Sequence, residues 1–192
     1  MRKYLVVMLA GLLALTAAVT IIGCGGEKDL ETAKSLMKDG DLSYDKVETA
    51  KSTLEEKQAD IAKSLLSGDK SGVTPEQMEQ TKEDIGKIVS GVKADLQAAK
   101  ASYEQILQLE GVEKYKEYAE KMLEVVEKDE ELLAQVEALI AKFMQMLSSM
   151  QPGTMPDLSV LLESEEMKKI NELSETIDNL MNEANKLKKE LE

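Results

Sequence analysis

The sequence predicts an all-α protein folded as an elongated antiparallel helical bundle, and three observations carry that expectation. Two consecutive segments, about 75–110 and 112–150, repeat apolar residues at alternating spacings of three and four. Glycine, proline and capping residues fall where such segments end. No stretch alternates apolar and polar residues between turn signals, as a half-buried strand does.

Taken in chain order, Gly40 and Gly68 mark helix ends and give helices near 28–39 and 43–67. Thr74 is an N-cap for the next helix, with Pro75 in its first turn and Gln77 as capping-box partner. Met78, Ile85, Val89, Val92, Leu96, Ala99, Tyr103 and Ile106 form its seam, interrupted by Lys82. Gly111 separates this helix from a second one, whose seam runs through Tyr115, Ala119, Met122, Val126, Leu133, Val136, Ile140, Phe143, Leu147 and Met150, interrupted by Asp129. A seven-residue repeat held over this length favours supercoiled helices, and the tight connection makes them antiparallel. Each reaches ~55 Å at 1.5 Å per residue, so together they form a coiled-coil-like hairpin.

Flanking helices then cover the faces the hairpin leaves open. Tyr44, Val47, Leu54, Ile61 and Leu65 mark one stripe, and a final helix over 157–191, capped by Asp157 after Pro156, carries Ile170, Leu173, Ile177, Leu180, Ala184, Leu187 and Leu191. Residues 28–192 thus read as a single helical domain. The alternative leaves the last stripe, within 165–191, open for self-association with a second chain or for another protein partner.

Asp129 is the charge a buried seam does not accommodate without compensation, since an unpaired buried carboxylate costs several kcal/mol. With the hairpin turning at Gly111, Asp129 faces the stretch between Val89 and Leu96, where Lys93 is the cation. A buried, structural Asp129–Lys93 ion pair is the expectation.

Composition excludes more than it selects. There is no His, no Trp, one Phe and one Cys, which removes the commonest general base, the thiolate metal cluster and most stacking platforms. No catalytic residue, metal site or cofactor is expected, and the protein reads as a non-enzyme. The residues after position 23 carry 22 basic and 37 acidic groups, a net of −15. Such a body repels phosphate backbones and anionic headgroups, which speaks against nucleic acid as a partner.

The N-terminus says where the protein resides. Arg2 and Lys3 precede a continuous apolar run from Tyr4 to Ile22, closed by Gly23-Cys24-Gly25-Gly26. This is the order of a secretory signal, although the run is longer than the ~7–15 residues usual for one. Ile21-Ile22-Gly23-Cys24 resembles the lipobox of bacterial lipoproteins, which prefers leucine where Ile21 stands and a smaller residue where Ile22 stands. The resemblance covers about 25 residues. It implies a signal peptide over 1–23, cleavage between Gly23 and Cys24, and a diacylglycerol thioether on Cys24 with further acylation of the new N-terminus. Residues 24–27 then form a lipidated tether, and the acyl chains hold the chain in the bilayer at ~0.8 kcal/mol per buried methylene. The implied location is extracytoplasmic, on the outer membrane or the outer face of the plasma membrane. The alternative is an uncleaved signal anchor with an incidental cysteine.

Two further patterns are weighed against the bundle. Residues 31–54, with Ala33, Leu36, Gly40, Asp41, Tyr44 and Ala50, look like a degenerate tetratricopeptide hairpin and suggest a peptide-binding module. Met144, Met146, Met150 and Met155 resemble copper(I)-binding methionine motifs. Adaptable core filling is the plainer account of the methionines, because Met144 and Met146 leave a helix on nearly opposite sides.

Overall fold

The computed structural model describes residues 26–66, 75–148 and 159–191. It is an all-α helical bundle: α1 (Gly26–Leu66), α2 (Pro75–Ile106), α3 (Glu113–Ser148), the single turn α4 (Ser159–Leu162) and α5 (Glu165–Lys189). The long helices alternate in direction. α1 packs along α2, α2 along α3 and α3 along α5, while α1 and α3 touch over a shorter stretch.

The first helix is continuous where two were expected. Gly40 does not end it, because Ala33, Met37, Gly40, Tyr44, Val47, Lys51 and Leu54 keep an unbroken four-three spacing through the glycine. A helix-interior glycine costs about 1 kcal/mol, less than the packing lost if that seam were interrupted. The residue also has a positive use: a Cβ at position 40 would stand 2.6 Å from Tyr103 Cε1, so only glycine admits the ring. Residues 31–54 therefore contain no helical hairpin, and the tetratricopeptide-like reading fails on that geometry. The helix also takes in Gly26 and Glu27, shortening the expected tether.

Gly111 does turn the chain, with φ at 71° in the region that favours glycine. α2 stops at Ile106, where Gln108 and Leu109 donate backbone bonds back to Gln105 and Ile106, and α3 starts at Glu113. The last helix begins later than expected: Ser164 adopts extended backbone and its Oγ accepts from the Met167 N–H, so it is the N-cap of α5. Glu165 and Glu166 in the first turn and Lys186, Lys188 and Lys189 in the last complement the helix dipole. Thr74, Gly68, Asp157, Met150 and Met155 lie outside the described residues, as do the side chains of Ile61, Leu65, Met78 and Leu147.

The core occupies the half of the bundle that holds the Gly111 turn. Buried side chains run from Ala33 to Leu54, Val89 to Ile106 and Val112 to Leu133, joined by Ile177 and Ala184 of α5. Towards the other end Ile85, Ile88, Val136, Ile140 and Phe143 are only half-buried. The apolar stripe of α5 is used within the chain: Ile177 and Ala184 are buried, and Leu180, Leu187 and Leu191 pack on the same core. α3 has neighbours on two sides, so Tyr118 and Val125, beside its expected seam, are buried as well.

Surface ion pairs follow the antiparallel register. Lys46–Asp95 (3.8 Å) and Lys57–Asp84 (3.5 Å) are separated by eleven residues along both α1 and α2. Such pairs contribute about 0–1 kcal/mol each, so they mark the register more than they hold it.

Glycine substitutions separate helix propensity from packing. Gly40→Ala is expected to destabilise the protein by about 1–2 kcal/mol in urea unfolding, because overpacking against Tyr103 outweighs the propensity gain. Gly91→Ala, with open space around the new methyl, is expected to stabilise it by up to about 1 kcal/mol.

Candidate functional site

Two carboxylates carry the polar organisation of the interior. The first is Asp41 on α1, whose side chain is 14% exposed. Oδ1 accepts from the hydroxyl of Tyr103 on α2 (2.8 Å) and from that of Tyr118 on α3 (2.6 Å). Oδ2 takes Lys188 Nζ of α5 at 2.6 Å. One side chain thus receives a donor from each of the three other long helices. The tyrosine rings meet edge to face with centroids 6.1 Å apart, and Gly40 leaves the gap that Tyr103 fills.

The second is Asp129 on α3, with a side chain 1% exposed. Its Oδ2 accepts from the Tyr44 hydroxyl of α1 at 2.6 Å. Lys51 Nζ stands 2.5 Å from Oδ1 as an ion pair, without the alignment of a directed hydrogen bond. The same ammonium donates to Glu48 Oε1 at 2.7 Å and lies 5.7 Å from the centre of the Tyr44 ring. Asp129 is therefore buried and compensated, but from α1 and not by Lys93 of α2. Lys93 is 52% exposed and pairs with Glu137 of α3 at 2.7 Å, which corrects the expected Asp129–Lys93 contact. The reason is the helix face: Asp129 points diagonally across the bundle to α1, whereas Lys93 lies on the outer margin of the α2–α3 interface.

Electrostatics follow from burial. The hydroxyls of Tyr44, Tyr103 and Tyr118 are pushed far above the ordinary phenol range, first by desolvation and then by the carboxylates they bond, with Tyr118 adding to the effect of Asp41 at Tyr103. Desolvation raises the Asp129 carboxyl above its usual value against the pull of Lys51 and Tyr44. At Lys51 burial acts to lower the pKa, yet the attraction of Asp129 prevails and the net direction is upward. Burial and pairing therefore contend within one contact.

The remaining candidates place as follows. Ile21, Ile22, Gly23, Cys24 and Gly25 lie outside the described residues. Met144 and Met146 are half-buried on α3 and both are engaged in contacts. Among the described residues no three His, Cys, Asp or Glu side chains converge as a metal site. A groove of about 230 Å³ between α2 and α3, lined by Lys93, Leu96, Gln97, Glu130 and Leu133, is smaller than the ~300–1,000 Å³ of ordinary ligand pockets. No helix among the described residues is long and apolar enough to cross a membrane.

Sequence reasoning missed Asp41, Lys188 and Lys51 as interior groups. Lys51 had a signal, since it occupies a seam position between Val47 and Leu54. Asp41 had none, because it lies one residue off the seam and its three donors are distant in sequence. The fold and these two clusters define a helical bundle with internal polar ties. Comparison with known proteins gives no match to a family model, a curated protein or a solved structure.

Replacing Asp41 by Ala strands two buried hydroxyls and an ammonium and is expected to cost about 3 kcal/mol in denaturant unfolding. Tyr103→Phe is expected to cost less, about 1 kcal/mol, since its partner keeps two other donors. The folded protein holds Tyr44, Tyr103 and Tyr118 protonated while the unfolded chain ionises them near pH 10. The stability these three phenols contribute is thus fully present below about pH 10 and is lost as pH rises beyond it. Tyrosinate absorbance is expected to show these three phenols ionising together with the loss of helical circular dichroism.

Proposed function

We propose that this protein is a lipid-anchored, extracytoplasmic lipoprotein whose helical bundle serves as a scaffold, spacer or protein-interaction module. The observation that carries the reading is positional. Helix α1 begins at Gly26, two residues after the lipobox-like cysteine, so an acyl anchor on Cys24 would root the bundle almost directly in the bilayer. The rooted end is the one with the Gly111 turn, the C-terminal turn of α5 and the well-packed core. α1 has 41 residues and at 1.5 Å per residue spans about 60 Å, which sets how far the opposite end stands from the lipid.

The chemistry of the body supports contact rather than catalysis. Among the described residues the two interior carboxylates are engaged by donors from neighbouring helices, and the net charge of −15 after residue 23 favours projection away from anionic headgroups. A partner is accordingly expected to be a protein, and nucleic acid is not.

The full-length chain, expressed in a bacterial host fed a labelled fatty acid, tests the anchor. The mature N-terminus is expected at Cys24 carrying diacylglycerol, and Cys24→Ala is expected to lose all label and to accumulate at the precursor size. An N-terminus at Met1 with unmodified Cys24 would overturn the lipoprotein reading in favour of a signal anchor. Crosslinking on intact cells separates scaffold from binding module: a stable protein partner supports the former, and a co-purifying small molecule overturns it.

A further inference from the structure

We propose that Lys51 and Asp129 are joined by a spontaneous side-chain amide that ties α1 covalently to α3. The reacting groups are already in place. Lys51 Nζ lies 2.5 Å from Asp129 Oδ1, so it is at most about 3.7 Å from Cγ, given a C–O bond of ~1.2 Å. The contact is an ion pair, so the ammonium must first pass a proton to Oδ1 before its nitrogen has a lone pair with which to attack carbon. Intramolecular pairs held this way reach effective molarities of ~10⁵–10⁸ M.

The surroundings supply what the reaction needs. The Tyr44 hydroxyl donates to Oδ2 at 2.6 Å, where negative charge collects when the carbonyl carbon becomes tetrahedral. Glu48 Oε1 lies 2.7 Å from Nζ and can accept its protons. The carboxyl is fully desolvated, and burial already draws it towards its neutral acid form. The ion attraction that holds the amine protonated is the opposing force, and proton transfer across the contact between the two groups overcomes it.

The step balances within the chain. A proton passes from the Lys51 ammonium to Oδ1, giving a neutral amine and a neutral acid. The nitrogen lone pair attacks Cγ, forming the C–N bond and moving the carbonyl electron pair onto Oδ2. Glu48 takes a second proton from nitrogen and returns it to the Oδ1 hydroxyl. The Cγ–Oδ1 bond breaks, water leaves along the partly open side of Lys51, and the carbonyl to Oδ2 re-forms. One ammonium and one carboxylate become one amide and one water, with no oxidant or reductant. The single cysteine precludes an intramolecular disulfide, so this is a cross-link the composition permits.

Mass spectrometry of the full-length chain after trypsin digestion tests the proposal, and the fragments read are remote from the N-terminus, so the outcome is independent of lipidation. Residues 47–57 are expected to appear joined to 129–142, lighter than the two peptides together by one water. Lys51→Arg keeps the positive charge and is expected to release both regions as separate, unmodified peptides. Glu48→Gln is expected to slow the appearance of the linked species about a hundredfold. Separate full-mass peptides from folded wild-type protein after prolonged incubation would overturn the proposal, as would a linked species that persists in Lys51→Arg.

Discussion

A carboxylate has two oxygens, about four lone-pair directions and no proton to give, so it can gather donors but never offer one. In Asp41 that chemistry becomes architecture, because the donors come from α2, α3 and α5 while the carboxylate itself belongs to α1. Apolar seams tolerate sliding by a heptad, since leucine packs on leucine at many offsets. A carboxylate that must meet two phenols and an ammonium does not. Any displacement of one long helix strands at least one buried polar group, at a cost of about 1–3 kcal/mol. The seams supply cohesion, and Asp41 selects which of the cohesive arrangements is adopted.

Gly40 and Asp41 act together in this. The glycine removes the one methyl that would keep the Tyr103 ring away from α1, and the carboxylate beside it receives the Tyr103 hydroxyl. Asp129 repeats the arrangement further along the rod, holding Tyr44 and Lys51. Both carboxylates lie in the half of the molecule where the side chains are fully buried. There, desolvation makes an unpaired charge costly and a paired one selective.

Packing is uneven along the bundle. The end where α1 begins is the end with the packed core and the polar ties, whereas the far end has half-buried apolar side chains around Val136, Ile140 and Phe143.

The sequence by itself determined the helical class, the antiparallel hairpin at Gly111 and the seam residues from Val89 to Leu133, because amphipathic periodicity and punctuation are local properties. It also offered a resemblance to a lipobox at Cys24, which rests on four adjacent residues outside the described ones. It misdirected at Gly40, where a residue that commonly ends helices was retained inside one for the space it leaves. Even there the uninterrupted spacing from Ala33 through Lys51 to Leu54 held the correction. Only the tertiary structure decided that Asp129 meets Tyr44 and Lys51 instead of Lys93, and that Asp41, Tyr103, Tyr118 and Lys188 converge. Those contacts join residues up to 147 positions apart, and the choice among them depends on the rotation of each helix about its own axis. Periodicity identifies the buried face of a helix, but which neighbour that face meets is settled only when all four pack at once.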